Sequence, residues 1–98
     1  MILEIAMLEV RPDRTEEFEQ AFREASNIIS SMKGYISHSL HRCLEQDNKY
    51  VLHVHWETLE DHTIGFRRSE EYQEWKRLLH HFYDPFPVVE HFERVSIS

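Results

Sequence analysis

Ile2-Leu3-Glu4-Ile5-Ala6-Met7-Leu8-Glu9-Val10 is apolar at both odd and even positions, and a single glutamate interrupts each set. Successive strand residues point to opposite sides of a sheet, so this pattern predicts a strand covered on both faces. Pro12 stops the strand. Asp13, with Glu16 three residues on, has the spacing of a capping box. Beyond it Phe18, Ala21, Phe22, Ala25, Ile28, Ile29 and Met32 recur every three or four residues. That is one apolar stripe of an amphipathic helix ending near Gly34.

Two further strands are predicted, Tyr35 to Cys43 and Tyr50 to Trp56, joined through Glu45-Gln46-Asp47-Asn48 as an antiparallel hairpin. Thr58 is placed to cap a short helix running to about Ile64. Ser69 is placed to cap another, with Tyr72, Trp75 and Leu79 on one face. Pro85 and Pro87 release a last strand, about Val88 to Val95. The order strand, helix, strand, strand, helix, strand is the ferredoxin-like βαββαβ motif: an α+β domain with a four-stranded antiparallel sheet, here residues 1–98 as one unit. Helices cover one face of such a sheet. The first strand's second apolar face then calls for a second copy, giving a homodimer packed sheet to sheet.

Composition narrows the partners. Eighteen acidic against eleven basic side chains give a net charge of −7, which disfavours nucleic acid and anionic membranes. No long apolar run or basic leader opens the chain, so a cytoplasmic location is expected. Lone Cys43 forms no internal disulfide. There is no glycine-rich phosphate loop and no complete metal-ligand set, so neither flavin nor metal is expected. His53 and His55 share one strand face, and His38 or His41 on the neighbouring strand could join them, but no carboxylate accompanies them at a diagnostic spacing.

Val10-Arg11-Pro12 before a helix carrying Phe18 and Phe22, Gly34-Tyr35 opening a strand, Val54-His55-Trp56 closing one, then His62 and Ser69-Glu70-Glu71-Tyr72 together resemble the antibiotic biosynthesis monooxygenase domain of the dimeric α+β barrel superfamily. The resemblance covers nearly the whole chain. It implies a small dimer with a pocket between sheet and helices. It also implies, as the leading activity, a cofactor-independent monooxygenase acting with O2 on an aromatic or enolisable small metabolite.

Two branches of that family can be compared position by position. The polyketide oxygenases' tryptophan falls at Trp56, their asparagine at Leu52 and their tyrosine at His62. In the haem-degrading branch the asparagine, tryptophan and axial histidine fall at Ala6, Phe66 and Lys76, with His80 one turn further along. Haem binding or degradation is therefore an alternative, as is a non-catalytic ligand-binding or stress-associated dimer.

An enzyme without metal or flavin must make its substrate electron-rich by deprotonation, which requires a base beside an apolar pocket. The catalytic candidates are His62, whose unperturbed pKa of about 6.5 suits a base near neutrality, and Trp56. The pocket candidates are Phe22, Phe66 and Tyr72. Replacing His62 is expected to cost turnover but little stability.

Overall fold

The computed structural model describes residues 1–97; Ser98, the end of the expected 1–98 unit, lies outside the described residues. Strand β1 (Ile2–Glu9) leads through a 3-10 turn (Pro12–Arg14) into helix α1 (Thr15–Ile29). Strands β2 (Tyr35–Arg42) and β3 (Lys49–Trp56) form the hairpin. A π-helical turn (Asp61–Phe66), helix α2 (Glu70–Leu79), a second 3-10 turn (His80–Phe82) and strand β4 (Val89–Glu93) complete the chain. The sheet order is β2-β3-β1-β4, antiparallel throughout. This is the ferredoxin-like α+β arrangement.

The even positions of β1 and β3, with Val10 just past β1, carry the core: Ala6, Leu8, Val10, Tyr50, Leu52, Val54 and Trp56 are all buried. Against them α1 lays Phe18, Phe22, Ala25 and Ile29, and α2 lays Trp75 and Leu79. Side chains of this size stabilise by about 1.5–3 kcal/mol each when fully removed from water, so the two stripes dock both helices on one sheet face. On the other face Leu3 and Ile5 are half-buried, and Met7 and Phe92 are exposed.

Several local expectations change. Asp13 does not cap α1: Pro12 starts a 3-10 turn closed by the Arg14 N–H on the Arg11 carbonyl (2.9 Å), so Asp13 lies inside a turn and α1 begins without a side-chain cap. The segment after Trp56 is capped by Thr58, whose Oγ1 accepts from the Asp61 N–H (3.1 Å), but it winds as a π turn, with the Arg67 N–H reaching the His62 carbonyl (3.1 Å). Strand β4 is shorter than 88–95 because β1 offers it partners only from Ala6 back to Ile2. The other end of β1 is held by a Val10–Tyr83 bridge. Ser69 does cap α2, its Oγ accepting from the Tyr72 N–H (3.1 Å).

Candidate functional site

A cavity of about 350 Å³ opens between the helix-covered sheet face, the π turn and α2. Its apolar wall comes from Ala6, Leu52, Phe66, Trp75 and Phe86, and its polar groups from Glu4, His62, Arg67, Tyr72, His80 and Tyr83. His62 and Phe66, four residues apart on the π turn, are both buried. Tyr72, in the first turn of α2, packs edge-on against Phe66, with ring centroids 5.2 Å apart.

Three sequence candidates thus meet at one cavity: His62, Phe66 and Tyr72. Trp56 lies beneath them, completely buried, with its indole stacked on the His62 ring at 5.3 Å and 18°. Phe22 is not among the lining residues. It meets Trp75 edge-on at 5.7 Å and lines a different cavity, of about 450 Å³, beside Ser26, His38 and Tyr50. Trp75 therefore separates Phe22 from the His62 cavity.

The centre of the site is a group that local sequence reading passed over. Glu4, in mid-β1, is 5% exposed. Its Oε1 accepts a 2.9 Å hydrogen bond from Trp56 Nε1 and stands 3.4 Å from His62 Nε2. Across the ladder Glu4 faces His91 of β4, and His91 Nε2 is 2.7 Å from His62 Nδ1. Glu4, His62 and His91 form a line from a buried carboxylate to a half-buried edge-strand imidazole.

Burial pushes the Glu4 carboxyl above the usual range, against the pull of the Trp56 hydrogen bond and the Arg67 charge. Burial likewise drives His62 down to about 3, helped by the positive Arg67 and by His91. His62 is therefore an unprotonated imidazole at neutral pH, and the near-neutral titration expected of it does not survive burial. His62 Nε2 faces Glu4 Oε1, and both side chains line the cavity. An acceptor pair beside an aromatic wall can take a proton from a bound hydroxyl or acidic C–H. The added charge is then shared between Glu4, His62 and His91 instead of stranded on one buried ring.

The other histidines divide by face. His38 lies under α1, its Nδ1 2.5 Å from the Tyr35 hydroxyl and its Nε2 3.0 Å from Ser26 Oγ. His41 and His53 are neighbours on the opposite, open face, with ring centroids 6.0 Å apart, and His55 shares that face. The sheet separates His38 from His53 and His55, so these three do not form one group. Among the described residues no cluster of three His, Cys, Asp or Glu side chains could hold a metal ion.

The sequence profile of the family described as antibiotic biosynthesis monooxygenase matches residues 1–78. The chain belongs to the antibiotic biosynthesis monooxygenase family. It is 63% identical to the uncharacterized protein YczJ of Bacillus subtilis (strain 168) over 95 residues, 97% of this chain and all of that one. A crystal structure from Bordetella bronchiseptica assigned to the same monooxygenases is 35% identical, with a TM-score of 0.92 and 97% of each chain covered. SnoaB, a cofactor-independent oxygenase from Streptomyces nogalater, shares the fold at 18% identity and a TM-score of 0.78, over 98% of this chain and 94% of that one. Within the monooxygenase family frame the cavity lies between sheet and helices, as the resemblance implied. No helix among the described residues is long and apolar enough to cross a membrane.

Proposed function

We propose that this chain is a small monooxygenase that deprotonates an aromatic or enolisable substrate and lets the resulting electron-rich anion react with O2. The observation that carries this reading is the buried Glu4–His62 pair, 3.4 Å apart, lining an aromatic-walled cavity of about 350 Å³. A cavity of that size suits a body of up to about three fused rings. Glu4, which burial makes the more basic, takes the proton, and His62, positioned by stacking on Trp56, stands beside it to share the charge. A substrate methylene and one molecule of O2 become a ketone carbonyl and one water: both C–H bonds break, one oxygen atom forms the new C=O bond, and the other leaves as water with both hydrogens. The substrate supplies the electrons, so the reaction requires no resident redox group. The fold shared with a cofactor-independent oxygenase supports the same reading.

The functional unit is a homodimer. Leu3, Ile5, Met7 and Phe92 line one uncovered sheet face, and an apolar face of this kind is covered by an identical one at least cost in new surface.

Oxygen uptake with anthrone, measured above autoxidation, tests the activity. Wild type should consume one O2 per anthrone, and His62→Gln and Glu4→Gln should each lower the rate by about 10²- to 10⁴-fold. Binding without uptake would favour the non-catalytic ligand-binding dimer, and uptake unchanged in both variants would remove the proton-acceptor role.

A further inference from the structure

Among the described residues, Arg67 is the only lysine or arginine lining the His62 cavity. It follows the π turn directly, with its backbone N–H tied to the His62 carbonyl, and its side chain is exposed. Among the described residues its guanidinium stands in no ion pair, like those of Arg23 and Arg68 but unlike those of Arg11, Arg14, Arg42 and Arg77, and of the first three Arg67 alone lines the cavity. Carboxylates are in excess in this chain, eighteen against eleven cationic side chains, so Arg67 is not unpaired for want of partners. The acid that shares its cavity, Glu4, is already engaged by Trp56 and His62.

We infer that Arg67 anchors a carboxylate on the molecule that occupies the cavity, so that the ligand class is a hydroxylated aromatic acid of one or two rings. The fixed groups set its orientation. Glu4 repels an anion and accepts a hydrogen bond, so a hydroxyl goes to the Glu4–His62 side. The carboxylate goes to Arg67, whose planar fork matches it with two parallel hydrogen bonds. The ring lies between, against Phe66 and Trp75. Arg67 also influences the proton acceptors from where it stands, lowering the pKa of Glu4, His62 and His91. A bound carboxylate neutralises that influence, so an anionic ligand makes its own deprotonating groups more basic.

The hydroxyl end of this inference rests on the proposed activity, but the carboxylate end is read by binding alone. Isothermal titration calorimetry under argon would compare 2,5-dihydroxybenzoate with hydroquinone, which differ only in the carboxylate. Wild type should bind the acid at least tenfold more tightly, with the preference shrinking as salt is raised. Arg67→Gln should abolish the preference while leaving the affinity for hydroquinone within twofold. Arg68→Gln, next in sequence but outside the cavity lining, should preserve it. Equal affinities in wild type, no measurable binding of the acid, or a preference that survives Arg67→Gln would each overturn the inference. A failed oxygen-uptake assay with the binding preference intact would remove the oxygenase reading and leave the anchor standing.

Discussion

The indole Nε1 of Trp56 donates a 2.9 Å hydrogen bond to Oε1 of Glu4, joining two buried side chains 52 residues apart in the chain. The bond spans the β1–β3 ladder diagonally, since Glu4 pairs with Val54 and Trp56 with Ile2. A carboxylate in an otherwise apolar core is costly unless hydrogen-bonded, and this bond allows β1 to hold one under the cavity.

Trp56→Phe keeps most of the aromatic bulk and removes the donor. It should destabilise the protein by about 1–3 kcal/mol in urea denaturation at pH 7. The double variant Trp56→Phe/Glu4→Leu should recover part of that loss, because removing both partners costs less than stranding one. A double variant less stable than Trp56→Phe would show that Glu4 is held by something other than the indole.

Periodicity made the frame legible: the β1 pattern, the α1 stripe, the hairpin and the Ser69 cap each express themselves within one element or two consecutive ones. The site did not express itself that way. Glu4 read as an interruption of an apolar face, because its partners Trp56, His62 and His91 come from β3, the π turn and β4. His91 joins the site only through the register that sets it opposite Glu4. Phe22 sat correctly on its stripe, but nothing in helical spacing says that Trp75 stands between it and His62. The expectation that His62 could be replaced at little cost to stability came from placing it on a short helix beside the pocket. The π turn instead buries the ring to 3% exposure.

Gly34 offers a second stability test near the site. It adopts φ +84°, and a Cβ there would collide with the Asp61 side chain, one residue before His62. Gly34→Ala incurs both the left-handed backbone penalty of about 1–2 kcal/mol and the displacement of the π turn. Its urea midpoint should fall accordingly, and an unchanged midpoint would mean that the β2 start and the turn are not held as closely as the geometry requires.

The open sheet face predicts the oligomer. Sedimentation equilibrium at micromolar concentration should give about twice the chain mass of 11.9 kDa. Ile5, at the centre of β1 on that face and opposite His53 and Glu90, is the position to charge. Ile5→Asp should shift the mass towards a single chain, because an unpaired carboxylate in a packed apolar interface is strongly disfavoured. A wild-type monomer would remove the sheet-to-sheet arrangement altogether.

The pH dependence of stability follows from the same burial that shapes the site. His62 titrates near 6.5 when unfolded and is pulled down to about 3 in the fold, so between those values the unfolded chain binds a proton that the folded one rejects. Its contribution is present above pH 6.5 and is lost as pH falls towards 3. Burial lowers His38, His80 and His91 in the same direction. Glu4 opposes them: its raised carboxyl favours the fold below 4.5, and that contribution disappears as pH rises through the raised value. Above the Glu4 range the histidines dominate, and His62 carries the largest share because burial among Trp56, Phe66, Glu4 and His91, beside the positive Arg67, lowers it furthest. Urea denaturation from pH 7.5 down to 4.5 at fixed protein concentration should show stability falling, with a slope of up to about 1.4 kcal/mol per pH unit for each fully shifted group. His62→Gln lowers stability at pH 7.5 through lost stacking, yet it should flatten the slope. A slope unchanged by His62→Gln would mean that the ring is already protonated in the fold near pH 6, and the Glu4–His62 pair would then lose its free acceptor.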